Sequence, residues 1–354
     1  MNTKLNKILI SQESSILEAL KLLNKELEKC LIVIDGKKRL LGTLTDGDIR
    51  RSILNGIQPN KSIKGVYFKK PKKLIKGKYK KTDVKKILSD QKLRLVPIIN
   101  KKGQVVDYIT FDMVYRGLKK ESKLKDVPVV IMAGGKGTRL EPFTKILPKA
   151  LLPIKDKPIV QHIIDKFKAS GIKIFFVTLN YKTDILKSFF EGLKPNYSIN
   201  FAREKKPLGT AGGLKLIKNK IRQPFFVTNC DIIVNTDYED IYNFHAETKS
   251  DITLIVSTKE YVIPYGVCDI NKKNGFLTKI NEKPSYNLLI NTGLYVLSPS
   301  VLNLISKNKH MDFNELIKIA KRKKMRVSAY PVDENSWIDV GQWTEYHKSK
   351  EKFI

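Results

Sequence analysis

The chain is poor in the residues that staple or anchor proteins. Its three cysteines, Cys30, Cys230 and Cys268, lie far apart and are odd in number. That argues against a disulfide framework and a cysteine-based metal site, and it fits a reducing, cytoplasmic compartment. No apolar run approaches the roughly 18 residues of a membrane span, so none is expected. The N-terminus, MNTKLNKILISQESS, carries charges throughout and lacks the apolar core of a secretory signal. Histidine is scarce, and His162, His245, His310 and His347 read as core or surface residues. Acidic residues are few as well: 35 Asp+Glu face 67 Lys+Arg, a net charge of +32.

That charge has two readings. An anionic partner is one, and a lysine-rich background is the other. Residues 1–125 carry 31 basic against 12 acidic residues, so the shorter part of the chain is the more basic. Lys61 to Lys86 holds twelve lysines and only Asp83 against them. Aromatics near these lysines are limited to Tyr67, Phe68 and Tyr79. Single-stranded nucleic acid is gripped by stacking on aromatics, so only weak, non-specific binding is expected.

At 354 residues the chain has room for two domains. Two half-units precede residue 120, at about 8–56 and 71–118. The first has a helical pattern at Ile16–Leu23, a β-like run at Cys30–Ile34, a turn at Asp35-Gly36, a strand at Leu40–Leu44, and TDGDIRRSILNG opening a helix. The second repeats this order: a helix near Val84–Leu88, strands at Arg94–Ile99 and Val105–Ile109, then TFDMVYRG. This tandem, with Thr45 and Asp48 in GTLTDGDIRR, resembles a CBS pair (Bateman module). The resemblance implies a regulatory or dimerising unit over 1–122, a homo-oligomer, and an adenine nucleotide as possible effector held by Thr45 and Asp48. In the second half Thr110 and Asp112 stand one residue closer together. Helix capping is the alternative reading of Thr45 and Asp48.

KKESKLK (119–125) reads as a linker, and from Val127 strands and helices alternate. Strands are expected near 127–132, 174–179, 199–201, 225–228, 252–257, 266–270, 292–297 and 327–331. Helices are expected near 159–170, 184–190, 213–218, 237–248 and 313–321. The richest segment is MAGGKGTRLEPFTKILPKALLPI, Met132 to Ile154. It follows the apolar run VPVVI, and it combines three glycines with the cations Arg139 and Lys149. Glycines let backbone N–H groups approach a phosphate chain, and the cations take up its charge.

Five motifs follow in order: GGKGTRL with PKALLPI, REKKPLGTAGG (203–213), NCD (229–231), NEKP (281–284) with NTGLYV, and WIDVG (337–341). Together they resemble the signature of sugar-1-phosphate nucleotidylyltransferases over nearly all of residues 126–345. The implied fold is α/β: a Rossmann-like nucleotidyltransferase domain at 126–350, with a mixed, largely parallel sheet, preceded by the tandem CBS domain. The implied reaction joins a nucleoside triphosphate to a sugar 1-phosphate and releases diphosphate. The implied nucleotide site takes in Ala133, Gly134, Gly135, Gly137, Thr138, Pro207, Leu208, Gly209, Thr210 and Gly212. Arg139, Lys149 and Asp231 are the implied catalytic residues. Asp231 and Asp339 would hold Mg2+, and a buried strand running into Asp231 suits a carboxylate ligand. Asn229, Glu282, Lys283, Asn291, Thr292 and Gly293 are implied on the sugar-phosphate side.

PLGTAGG is similar to the mannose-1-phosphate guanylyltransferase branch, which implies GTP, although thymidylyl- and uridylyltransferases of glucose 1-phosphate share most of these residues. A CBS pair ahead of such a domain resembles glucosamine-1-phosphate guanylyltransferases of surface-glycan and nonulosonate (legionaminic acid) clusters. A non-enzymatic nucleotide sensor with an inactive transferase is the competing class.

Overall fold

The computed structural model describes residues 3–25, 30–80, 95–110, 122–193 and 195–343, with residues 84, 87, 88, 93, 113 and 346. The chain forms two compact units. One comprises residues 1–119 with 258–289, and the other 120–257 with 290–354.

The first unit contains two small sheets built alike. In one, β1 (Leu9–Ser11) pairs in parallel with β2 (Cys30–Ile34), which pairs antiparallel with β3 (Leu40–Thr45). In the other, β4 (Leu74–Ile75) pairs in parallel with β5 (Leu95–Ile99), which pairs antiparallel with β6 (Val105–Thr110). The short parallel strands β1 and β4 escape a sequence reading because two or three residues show no period. Between β1 and β2 the helix Ile16–Lys25 buries Ile16, Ala19, Leu20 and Leu23, as its 3–4 spacing requires. The two β-turns meet: Leu40 N donates to Gly103 O and Val105 N to Lys38 O. Leu95, Ile99, Val105 and Tyr108 of the second half share a core with the first. The expected helix at Val84–Leu88, Asp112 and the segment after it lie largely or wholly outside the described residues, as does His347.

Thr45 and Asp48 form a capping box on the helix Asp46–Leu54. Thr45 N and Oγ1 both donate to Asp48 Oδ2, at 2.9 and 2.6 Å, and Asp48 N donates to Thr45 Oγ1 at 3.4 Å. The capping reading of these two residues is therefore realised in the fold.

The second unit begins within the stretch that reads as a linker. Leu124 is fully buried in its core and Ser122 Oγ donates to Ser170 O. The strands are β7 (Pro128–Ala133), the short pair β8 (Pro153–Ile154) and β9 (Lys157–Pro158), β10 (Ile174–Leu179), β11 (Ser198–Arg203), β12 (Phe225–Asn229), β13 (Ile232–Val234) and β14 (Ile252–Val262). The hairpin β15 (Val267–Ile270) and β16 (Leu277–Asn281) falls in the first unit. Then come β17 (Ser285–Leu297), β18 (Val327–Val332) and β19 (Trp337–Asp339). Seven strands form one sheet in the order β11-β10-β7-β12-β17-β14-β18. Pairs β11/β10, β10/β7, β7/β12 and β14/β18 are parallel, and β12/β17 is antiparallel. The sheet is thus mixed and largely parallel.

Alternate residues of β7 enter opposite cores. Val129 and Ile131 pack on one face with Ile163, Phe167 and Phe226, while Val130 and Met132 pack on the other with Leu214, Phe225 and Leu316. A sheet covered on both faces needs unbroken apolar strands, which is why VPVVI and FFVT carry no alternation. β14 and β17 extend well beyond the expected 252–257 and 292–297. Their outer halves are largely exposed, and they include apolar side chains such as Val262, Leu288 and Leu289 that lie outside the core. The expected helix near 213–218 is a short α-turn, Gly209–Gly212, followed by a 3-10 stretch, Gly213–Lys220. Gly212 and Gly213 disfavour a regular α-helix there.

His245 is a core residue. Nδ1 contacts Thr253 Oγ1 at 2.8 Å and Nε2 contacts Ser298 Oγ at 3.0 Å. Burial lowers its pKa to about 4, against a smaller opposing pull from Asp251. In the unfolded chain the imidazole titrates near its ordinary value of about 6.5, so the unfolded state binds more protons between those values. Stability must therefore fall as pH drops through that window. Thermal melts at pH 7.5 and pH 5 are expected to differ more for the native chain than for His245→Asn. At pH 7.5 the variant should lose roughly 1–3 kcal/mol, the cost of unpaired buried hydroxyls.

Candidate active site

β7 ends at Ala133 and the chain turns through Gly134 to Gly137. Gly137 takes φ +70°, where a side chain would be strained and would press on Thr144 and the stem of Lys149. Thr144 Oγ1 donates to Gly137 O at 3.0 Å. Thr138, Arg139 and Leu140 form a 3-10 turn that leaves Arg139 exposed and Leu140 buried. A second 3-10 turn, Lys149–Leu151, buries Lys149.

Asp231 follows β12, and Asp339 ends β19. The antiparallel pair β13/β19 sets Ile232 opposite Asp339, and Val340 N donates to Asp231 O at 3.0 Å. This pairing brings two carboxylates from distant parts of the chain together. Lys149 Nζ donates to Asp231 Oδ2 in a buried ion pair. Gly341 marks the meeting point. A Cβ there would lie 2.6 Å from Asp231 Oδ2, 2.8 Å from Asp339 Oδ1 and 3.1 Å from Lys149 Nζ. Burial, and then the neighbouring Asp231 charge, raise the pKa of Asp339. The N–H of Gly341, at 2.7 Å from Oδ1, and the charges of Lys149 and Arg139 pull the other way. One buried cation thus serves two carboxylates. Among the described residues no group of three or more metal-ligating side chains forms a cage. One or two carboxylates are what magnesium usually takes from a protein, the rest of its shell being phosphate oxygens and water.

The other expected residues lie around this centre or apart from it. Asn229 pairs in register with Met132, and its Nδ2 sits against Gly293, which has φ +85°. Thr292 is buried with Oγ1 donating to Ile255 O, so it shapes the segment rather than presenting a free hydroxyl. Asn291 Nδ2 donates to Tyr295 OH. Leu208 is buried, while Pro207 and Thr210 are exposed. Thr210 does not cap its own turn; Leu208 holds the cap position. Glu282 and Lys283 belong to the first unit, beside the β15/β16 hairpin, where Lys283 adopts φ +44° and its N–H meets Tyr265 O. Cys230 is buried, with its thiol pushed up to about 12, and is no nucleophile.

Three groups escaped the sequence reading. Glu204 is a buried carboxylate that accepts from Leu208 N at 3.1 Å and fills the space beside Gly134 and Gly213. Burial raises its pKa, while the bonds from Leu208 and Thr178 oppose the shift. Lys182, at φ +51°, donates to Lys145 O and Ile146 O at 2.5 and 2.7 Å. Trp343 Nε1 donates to Glu141 O, and its ring lies 5.3 Å from that of Phe143. Lys182 and Trp343 together pin the segment between Arg139 and Lys149. Glu204 sits inside a quoted motif, whereas nothing in the local sequence singles out Lys182 or Trp343.

The profile of the nucleotidyl transferase family matches residues 128–354. The chain belongs to that family. A CBS domain is matched over residues 1–55. The mannose-1-phosphate guanyltransferase of Yarrowia lipolytica is 33% identical over 222 residues, 60% of this chain and 60% of that protein. A probable mannose-1-phosphate guanylyltransferase 2 of Oryza sativa is 32% identical, over 61% and 62%. This nucleotidyl transferase therefore spans about 60% of the length of these relatives. Among solved structures, HddC from Yersinia pseudotuberculosis is 29% identical with a TM-score of 0.51, covering 64% of this chain and all of that one. HddC complexed with GMP-PN matches at 28% identity and a TM-score of 0.50, over 64% of this chain.

Removing Lys149 leaves the buried Asp231 and the half-buried Asp339 without their cation. Lys149→Met should cost about 3–5 kcal/mol in denaturant melts, the usual penalty for breaking a buried pair. Lys149→Met with Asp231→Asn should cost clearly less than the two single losses added together. Additivity would mean that the pair is not coupled.

Proposed function

We propose that this nucleotidyl transferase moves a guanylyl group from GTP to a hexose 1-phosphate and releases diphosphate. The convergence of Lys149, Asp231 and Asp339 on Gly341 carries the reading. A phosphate oxygen of the sugar attacks the α-phosphorus, and the bond from that phosphorus to the β-phosphate oxygen breaks. The attacking oxygen is already ionised, so no base is needed. Arg139, exposed on the glycine-rich turn, binds the departing diphosphate. Lys149 neutralises charge building on the α-phosphate. Asp231 and Asp339 would hold magnesium, which supplies screening between the two anionic substrates.

Guanine is favoured for two reasons. The relatives are named as guanylyltransferases, and HddC is described in complex with GMP-PN. In addition, Glu204 sets a buried carboxylate beside Gly134 and the PLGTAGG loop. Guanine presents two neighbouring N–H donors, on N1 and N2, which suit a carboxylate acceptor; uracil and thymine present one. Mannose 1-phosphate, from the relatives' names, and glucosamine 1-phosphate, from the CBS-plus-transferase architecture and its link to nonulosonate synthesis, are the leading acceptors. Asn229 and Asn291 to Gly293 are the proposed sugar-phosphate side within the second unit. The first unit is proposed to tune activity or assembly through an adenine nucleotide at Thr45 and Asp48.

Diphosphate release across GTP, ATP, UTP, CTP and dTTP, each with mannose, glucosamine and glucose 1-phosphates, tests this. GTP should exceed the other nucleotides by at least about tenfold, the discrimination expected of one good hydrogen-bonded edge. Asp231→Asn should lower magnesium-dependent release by about a hundredfold or more. Unaltered release in that variant would sink the catalytic assignment, and no release by the native chain with any pair would favour a nucleotide sensor. Glu204→Gln should narrow the preference for GTP.

A further inference from the structure

The loop Pro207–Gly213 does not hold its shape alone. Its backbone is bound to a later segment, residues 309–313, which no motif marked. Ala211 N and Gly212 N both donate to Met311 O, at 2.9 and 3.0 Å, and Met311 N donates to Leu208 O at 2.9 Å. Gly209, at φ +77°, lies so close that a Cβ would come within 2.6 Å of Met311 O and 2.8 Å of Asp312 Oδ1.

Asp312 occupies the N-cap position of the helix Phe313–Arg322 but makes no side-chain cap bond to it. Its carboxylate turns to the other element: Oδ1 accepts from Thr210 N at 3.0 Å and Thr210 Oγ1 at 3.2 Å. Thr210 Oγ1 in return accepts from Phe313 N at 3.0 Å. Each residue thus caps the other's helix start, an exchange that fixes their register more firmly than either cap alone. The contact continues inward. Phe313 stacks on Tyr295 with ring centroids 3.9 Å apart and planes 4° apart, and Tyr295 OH accepts from Asn291 Nδ2 at 2.8 Å. A continuous path runs from the PLGTAGG loop to the Asn291–Gly293 segment, all within the second unit.

We propose that Asp312 is a positioning residue for nucleotide recognition. Through Thr210 it sets where the Leu208–Gly212 backbone meets the base, and through Phe313 and Tyr295 it ties that loop to the sugar-facing segment. The inference rests on reading PLGTAGG as the nucleobase loop. Asp312 itself is exposed, so its truncation leaves the core intact.

The test uses the full chain, GTP and UTP, and the sugar 1-phosphate that the native enzyme accepts. Asp312→Ala should raise the KM for GTP about tenfold and lower the GTP-to-UTP ratio of kcat/KM by a similar factor, as expected for a loop that has lost its anchoring bonds. Its kcat should stay within about threefold of native, since the reacting groups are untouched. Asp312→Asn keeps the Oδ1 acceptor and should restore most of the loss. Thr210→Val, which deletes the bridging hydroxyl, should shift KM in the same direction. Phe313→Leu should raise the KM for the sugar phosphate while leaving the base ratio unchanged. A GTP KM within twofold of native in Asp312→Ala overturns the inference, as does a loss confined to kcat or an Asn variant no better than Ala. An inactive native chain that also fails to bind GTP in calorimetry overturns the nucleotide reading itself; an active native chain with an unaffected Asp312→Ala overturns this inference alone.

Discussion

The buried pair of Lys149 and Asp231, with Asp339 alongside, is the constraint around which the second unit is organised. Two carboxylates held close together, one buried and one half-buried, repel each other, and one ammonium offsets only part of that. The residual negative charge leaves a place for a further cation, and the anionic substrates of the proposed reaction would arrive with one. Gly341 is required by the same crowding, because no Cβ fits between the three charged groups. The β13/β19 pairing, the 3-10 turn at Lys149 and the strand end at Asn229 all serve to bring these groups to one point.

Around that centre, loops of low intrinsic regularity are held by tertiary bonds. The segment between Arg139 and Lys149 is pinned by Lys182 through two carbonyls and by Trp343 through a third. The PLGTAGG loop is pinned by Glu204 on one side and by Met311 and Asp312 on the other. Glycine-rich segments have high conformational freedom and cannot stay in one shape unaided. External anchors supply the order that the proposed nucleotide site needs.

The first unit follows a different logic. Thr45 and Asp48 bond to each other and to their helix start, so their polar groups are satisfied without a ligand. The turn-to-turn pairing of Leu40 with Gly103 and Val105 with Lys38 joins two similar half-units into one core. Lysine-rich stretches such as Lys69 to Lys73 lie exposed around this core and take no part in it.

The architecture was largely legible in the chain, because VPVVI, IFFVTL and FFVT are predominantly apolar, non-alternating runs and the motifs occur in order. Where a strand is short or half-exposed, as in β1, β4, β13 and the outer parts of β14 and β17, any apolar run is only two or three residues long, too short to show a period. Residue types suited to phosphate, Arg139 and Lys149, and to a metal ion, Asp231 and Asp339, were visible as chemistry. Their meeting was not, since an ion pair between residues 149 and 231 exists only after strands from distant parts of the chain have paired. Neither Glu204 nor Asp312 is marked by the sequence: Glu204 is buried beside two glycines, and Asp312, at the start of one helix, caps a different one. Sequence alone determined which side chains and backbone freedoms were available. The tertiary structure decided which of them share a desolvated space, because burial and distance, not residue type, set the strength of a charge or a hydrogen bond.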